Sequence, residues 1–160
     1  RKRHLFDVDL PDGARYEESL TTTPGERSVV IDLEGLRCGL SICYDLRFPE
    51  HYRALVAAGA DVLLVTAAFT RTTGVDHFSV LLRARAIENQ CWVVAANQWG
   101  CHPGGRATFG HSCVIDPWGR IEAEVNEGVG TIVAALDLDR VHEVRRRLPA
   151  LAHRRDVARG

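Results

Sequence analysis

The chain contains no methionine and almost no lysine: of 20 Lys and Arg together only Lys2 is lysine, which leaves 19 arginines. Nor does it carry an apolar run near the roughly 20 residues that a membrane-crossing helix needs, so no membrane partner is expected. A formal net charge of -1 lacks the basic footprint of a nucleic-acid binder, and no nucleic acid is expected either. CxxC, HxxxH and HExxH spacings are absent, so the five cysteines and seven histidines do not compose a zinc site. Gly104-Gly105 neither follows a strand nor opens a helix, which removes the phosphate-cradle reading. No metal and no other cofactor is expected.

Three of these scarcities carry positive information. Where arginine serves as the general cation, a surviving lysine points to a place that needs a compact ammonium rather than a planar fork; the alternative is a solvated charge at a ragged end. Without methionine, and opening directly on the alternation Arg1 to Asp7, the chain is expected to be a fragment or a trimmed piece whose N-terminal part is missing. An odd number of cysteines without a paired pattern points to reduced thiols and a cytoplasmic location. The hydrophobic content of 46% and charged content of 26% over 160 residues fit one globular domain spanning 1–160.

The pattern reads as α/β. Lys2 to Leu10 alternates as a strand, and Pro11-Asp12-Gly13 turns. Arg15 to Thr23 is polar and irregular. Ser28 to Leu33 and Leu36 to Cys43 form a hairpin about Glu34-Gly35. Pro49 to Ala58 has helical spacing and ends at Gly59, a C-capping residue. Asp61 to Thr66 and Cys91 to Ala96 are buried-type strands, separated by a loop, Ala67 to Gly74, and a helix, Asp76 to Asn89, with Phe78, Leu81, Leu82 and Ala86 on one face. Helices alternating with these runs imply parallel strands with right-handed crossovers. Beyond a loop at Gln98 to Gly110, strands His111 to Asp116, Arg120 to Val125 and Gly130 to Leu138 should pair antiparallel. Asp139 caps a last helix through Arg147, and a basic tail follows from His153.

One stretch concentrates the chemistry. The run Leu36 to Ile42 stops at Cys43, and Pro49 opens a helix, which suits its missing N–H. A thiol therefore sits at the carboxyl end of a strand, where open α/β sheets bind ligands. Two readings stand open: a buried structural cysteine or a nucleophile. A nucleophile at neutral pH needs help. His51 would point away from the bend, and nothing positions His77, His102 or His111. Lys2 could stabilise the thiolate and later an oxyanion, with Glu17 or Glu18 orienting the ammonium.

Lys2-Arg3-His4-Leu5-Phe6-Asp7 followed by Gly39 to Glu50 resembles the nitrilase, or carbon-nitrogen hydrolase, superfamily. The stretches Ala67 to Thr70, Leu82 to Gln90, Gly110-His111-Ser112 and Asp116 to Gly119 extend the resemblance over nearly the whole chain. Arg106 to Ser112 and the ending Leu148-Pro149 to Arg155 are most similar to the branch of amidases acting on deaminated glutathione, with the omega-amidases next. The resemblance implies the C-terminal portion of an α-β-β-α sandwich with a mixed sheet. It implies an amidase that works through a cysteine thioester on a small carboxylate-bearing amide. An omega-amidase, an N-carbamoyl amidase, a nitrilase or a catalytically silent fragment are the alternatives. By motif position Cys43 is the nucleophile, Lys2 and the Tyr44 N–H hold the oxyanion, and Glu18 is the auxiliary glutamate. Arg47, Phe69 and Thr73 line the substrate site; an arginine suits a substrate carboxylate, against a helix-start ion pair with Glu50. The family's general-base glutamate lies upstream of the lysine and matches no position here. A homo-oligomer is implied for the intact protein, and an exposed sheet edge should be a liability.

Overall fold

Three apolar runs form the centre of the computed structural model, which describes residues 1–155. The elements are β1 (Asp7–Asp9), β2 (Arg15–Glu17), β3 (Val29–Leu33), β4 (Leu36–Ile42), α1 (Pro49–Ala57), β5 (Val62–Ala67), α2 (Arg71–Asn89), β6 (Trp92–Asn97), β7 (Trp99–Cys101), β8 (Ala107–Phe109), β9 (Cys113–Ile115), β10 (Ile121–Glu124) and α3 (Leu138–Arg147). β4, β5 and β6 run parallel, connected through α1 and α2. Antiparallel strands flank them, giving the order β10-β9-β6-β5-β4-β3. This is the mixed α/β sheet that the residue pattern and the resemblance anticipate.

Strand alternation sorts the side chains into two cores. Leu63, Val65, Val93, Ala95, Cys113 and Ile115 face α1 and α2, where Tyr52, Leu55, Phe78 and Leu82 meet them, all buried. Cys38, Val62, Trp92 and Val114 point to the opposite face, against Val141 of α3. Residues of opposite faces alternate one by one along β5, β6 and β9, as the pleat requires. β3 is an edge strand, with Val29, Ile31 and Leu33 exposed.

Several expectations are corrected. Of the strand expected at Lys2 to Leu10, only β1 pairs, and it pairs with β2 from the segment read as irregular. The Arg3 and His4 N–H groups bond a side chain, Asp45, and no ladder reaches them. The loop expected at Gln98 to Gly110 contains the hairpin β7–β8. Gly130 to Leu138 is not a strand: Ile132, Ala134, Leu136 and Leu138 turn inward onto the second core, while the backbone has no sheet partner. Alternation therefore marks half-burial, and half-burial does not need a ladder. α2 begins at Arg71 rather than Asp76, and Asp137 rather than Asp139 caps α3, accepting the Asp139 N–H at 2.9 Å. The basic tail lies outside the described residues from 156 onward.

The first turn of α2 defies its local sequence, two threonines and a glycine among its opening residues after the capping Thr70, because Phe109 packs directly on Gly74. A Cβ added there would lie 2.5 Å from Phe109 Cβ. Gly74→Ala is expected to destabilise the fold by roughly 1–3 kcal/mol in urea unfolding, although alanine gains about 1 kcal/mol of helix propensity. A net stabilisation would show that this contact does not hold the turn.

Candidate active site

Cys43 leaves β4 in a left-handed conformation, with φ +48°, and opens a 3-10 turn, Cys43–Arg47. For a residue with a Cβ this conformation costs roughly 1–2 kcal/mol, and such strain clusters where function demands it. The turn is over-determined by Asp45. Its buried carboxylate accepts the N–H of Ile42 at 3.0 Å, of His4 at 2.9 Å and of Arg3 at 3.2 Å, with His4 Nδ1 at 2.8 Å. The His4 ring stacks on Phe48, centroids 3.6 Å apart. From behind, the buried Arg85 guanidinium donates twice to the Leu46 carbonyl, at 3.0 and 2.8 Å, and pairs with Glu88 at 2.9 Å.

Asp45 thereby delivers Lys2, one residue before Arg3, to the site. Lys2 is 8% exposed and its Nζ bonds Glu18 Oε2; the same carboxylate oxygen accepts the Phe6 N–H at 2.7 Å. Of the two adjacent glutamates only Glu18 serves Lys2, since Glu17 pairs with Arg15. Lys2 Nζ stands 5.8 Å from the Tyr44 ring centroid.

Burial pushes the Cys43 thiol above its ordinary value, and this outweighs the downward pull of the Ala68 amide, the Lys2 charge and the Tyr44 amide. The thiol is therefore held protonated at neutral pH, and a proton acceptor is required before it can attack. The Ala68 amide is a donor that sequence reasoning missed: a main-chain N–H leaves no mark in residue type.

Cys43, Lys2, Glu18, Tyr44, Arg47, Phe69 and Thr73 all line one cleft of about 1150 Å³. Every residue that the resemblance assigns to the site is thus brought together. Arg47 has no ion pair with Glu50; it bonds His77 Nδ1 at 3.1 Å and lies over the rings of Phe69 (5.0 Å) and Tyr44 (5.9 Å). Thr73 Oγ1 is 2.9 Å from Thr70 Oγ1. Phe69 is positioned by Asn97, also missed, whose Oδ1 accepts its N–H at 2.8 Å and whose Nδ2 donates to the Gly110 carbonyl at 2.6 Å. Three further histidines have partners of their own. His51 is buried, within reach of Ser28 and the Leu40 carbonyl, and burial lowers its pKa. His111 pairs with Glu124, and His102 meets Thr108 at the cleft's edge. No group of three metal-ligating side chains occurs among the described residues, and no described helix is long and apolar enough to cross a membrane.

A strained cysteine at a strand end lines one cleft with a buried lysine and its half-buried glutamate partner, and the chain belongs to the carbon-nitrogen hydrolase family, whose pattern matches residues 1–146. It is 53% identical over 156 residues to a deaminated glutathione amidase of Synechocystis sp., covering 96% of this chain and 57% of that protein. Against the human deaminated glutathione amidase it is 49% identical, covering 97% and 48%. Among solved structures, the C. elegans NitFhit protein superposes with a TM-score of 0.89 at 46% identity, over 96% of this chain and 38% of that one. An amidase of Nesterenkonia sp. AN1, carrying acrylamide added at its active-site cysteine, superposes with a TM-score of 0.73 at 32% identity, over 95% and 56%. The chain spans about half the length of the curated relatives it matches.

Site-resolved alkylation by iodoacetamide reads the thiol directly. The rate at Cys43 is expected to keep climbing beyond pH 9, the ordinary thiol value, and Lys2→Ala should shift the profile higher still. A plateau at or below neutral pH would contradict the dominance of burial.

Proposed function

We propose that the protein is an amidase that hydrolyses a small linear amide bearing a carboxylate, of the deaminated-glutathione type, through a thioester on Cys43. The observation that carries this reading is the meeting of the strained Cys43, the Lys2–Glu18 pair and the Arg47 guanidinium in one cleft. The names of the relatives support the substrate class.

The chemistry follows from the placement. Arg47 takes the carboxylate of the acyl part in bidentate fashion, and the Phe69 and Thr73 side of the cleft sets the length of the acyl chain. The Cys43 proton passes to the glutamate that the family resemblance places upstream of Lys2, and Sγ attacks the amide carbon. Negative charge gathers on the former carbonyl oxygen, where Lys2 Nζ and the Tyr44 N–H stabilise it. Glu18 holds the ammonium in place, fixed in turn by the Phe6 N–H. The C–N bond breaks as the upstream glutamate returns the proton to the amine, which leaves. Water then attacks the thioester carbonyl, the same base accepts its proton, and the acid departs as the thiol is restored. The steps need no cofactor.

A substrate panel on the full-length protein tests the assignment. Deaminated glutathione should be hydrolysed with a higher kcat/KM than 2-oxoglutaramate, and the corresponding nitrile should be ignored. Cys43→Ala should lower kcat by at least about 10⁴-fold, the order seen when a covalent nucleophile is lost. Wild-type-like release of the amine from that variant, or preference for the nitrile, would overturn the proposal.

A further inference from the structure

We propose that Arg106, on the turn joining β7 and β8, forms a second anion subsite that receives a carboxylate on the leaving-group side of the scissile amide. The inference deepens the amidase reading and rests on it.

Arg106 lines the same cleft as Cys43, on an exposed turn, and its side chain has no carboxylate partner among the described residues. The nearby carboxylates are engaged: Glu17 pairs with Arg15 and Glu18 with Lys2. The Arg106 guanidinium lies over the Tyr16 ring, 5.1 Å from its centroid. Tyr16 packs on Phe6 and Phe6 on Tyr44, each pair with centroids 5.0 Å apart. Arg47 caps the Tyr44 end of this row, where Lys2 Nζ also stands. One wall of the cleft is thus an aromatic row with a guanidinium at either end and the Lys2–Glu18 pair beside it. Such a wall matches an elongated amide with an anion at both ends: Arg47 serves the acyl carboxylate, and Arg106 one carried by the departing amine.

The two cations are held in a fixed relation. The Arg106 carbonyl accepts the His102 N–H at 2.7 Å, closing the turn, and the Phe109 N–H of β8 bonds the carbonyl of Phe69, the residue on which Arg47 lies. A peptide-like leaving group ending in a carboxylate reaches Arg106, whereas an ammonia leaving group cannot. Because Arg106 is exposed, its contribution should weaken with salt.

The test compares wild type and Arg106→Gln as full-length proteins on deaminated glutathione and on the same compound with its terminal carboxylate converted to a carboxamide. The substitution should lower kcat/KM for the carboxylate substrate roughly tenfold, mainly through KM, and that for the carboxamide by less than about twofold. The wild-type advantage should shrink as salt is raised. An equal fall on both substrates, or none on either, overturns the subsite. If wild type hydrolyses neither, the amidase reading fails on its own, and the subsite is judged from equilibrium binding of N-glutaryl-alanylglycine against its C-terminal carboxamide. Loss of the preference for the carboxylate in Arg106→Gln supports the subsite, and an unchanged preference rejects it.

Discussion

The carboxylate of Asp45 is the constraint on which the site depends. It is almost fully buried, and an isolated charge there would be prohibitive without partners. It meets that demand by collecting the main-chain N–H groups of Ile42, Arg3 and His4 together with the His4 ring. Ile42 immediately precedes Cys43 and Arg3 immediately follows Lys2. One carboxylate therefore fixes both the strained turn at Cys43 and the approach of Lys2, from segments about forty residues apart. Arg85 performs the matching service at the far end of the turn, filling the Leu46 carbonyl.

The electrostatics that follow are those of a thiol kept protonated beside a lysine. Burial holds Cys43 as a thiol even with a lysine nearby, because much of the Lys2 charge is engaged by Glu18. A resting thiolate would attract electrophiles of every kind, and burial keeps that species scarce at neutral pH. Arg47, lying over two aromatic faces, presents its cation without a competing carboxylate, which leaves it available to an anionic substrate.

Most of the frame was legible in the residues. Apolar runs of strand length separated by helical spacing dictate β4, β5 and β6 and their parallel direction, and Pro49 marks the start of α1. The position of Cys43 at a strand end follows from an apolar run that stops at a thiol, whereas its role as a nucleophile came from the family resemblance. Other features were hidden because their cause is tertiary. Arg3 and His4 look like ladder residues, yet a side chain from another segment takes their N–H groups. Gly130 to Leu138 alternates as a strand does, and only the packing partners distinguish a half-buried extended segment from a paired one. The first turn of α2 looks like a loop until Phe109 is placed on Gly74. Within the site, the choice of Glu18 over Glu17 came from family resemblance, and the Ala68 amide has no signature in sequence at all.

The central claim is that Cys43, held in this strained turn, carries the acyl group between the two halves of the reaction. Acid-quenched intact-mass and peptide mass spectrometry of the full-length protein during turnover of deaminated glutathione tests it most directly. The account predicts a 2-oxoglutaryl adduct confined to the peptide containing Cys43, appearing within the first turnover and disappearing as substrate is exhausted. Steady hydrolysis with no acyl adduct on that peptide, or with the adduct on another cysteine, would contradict it.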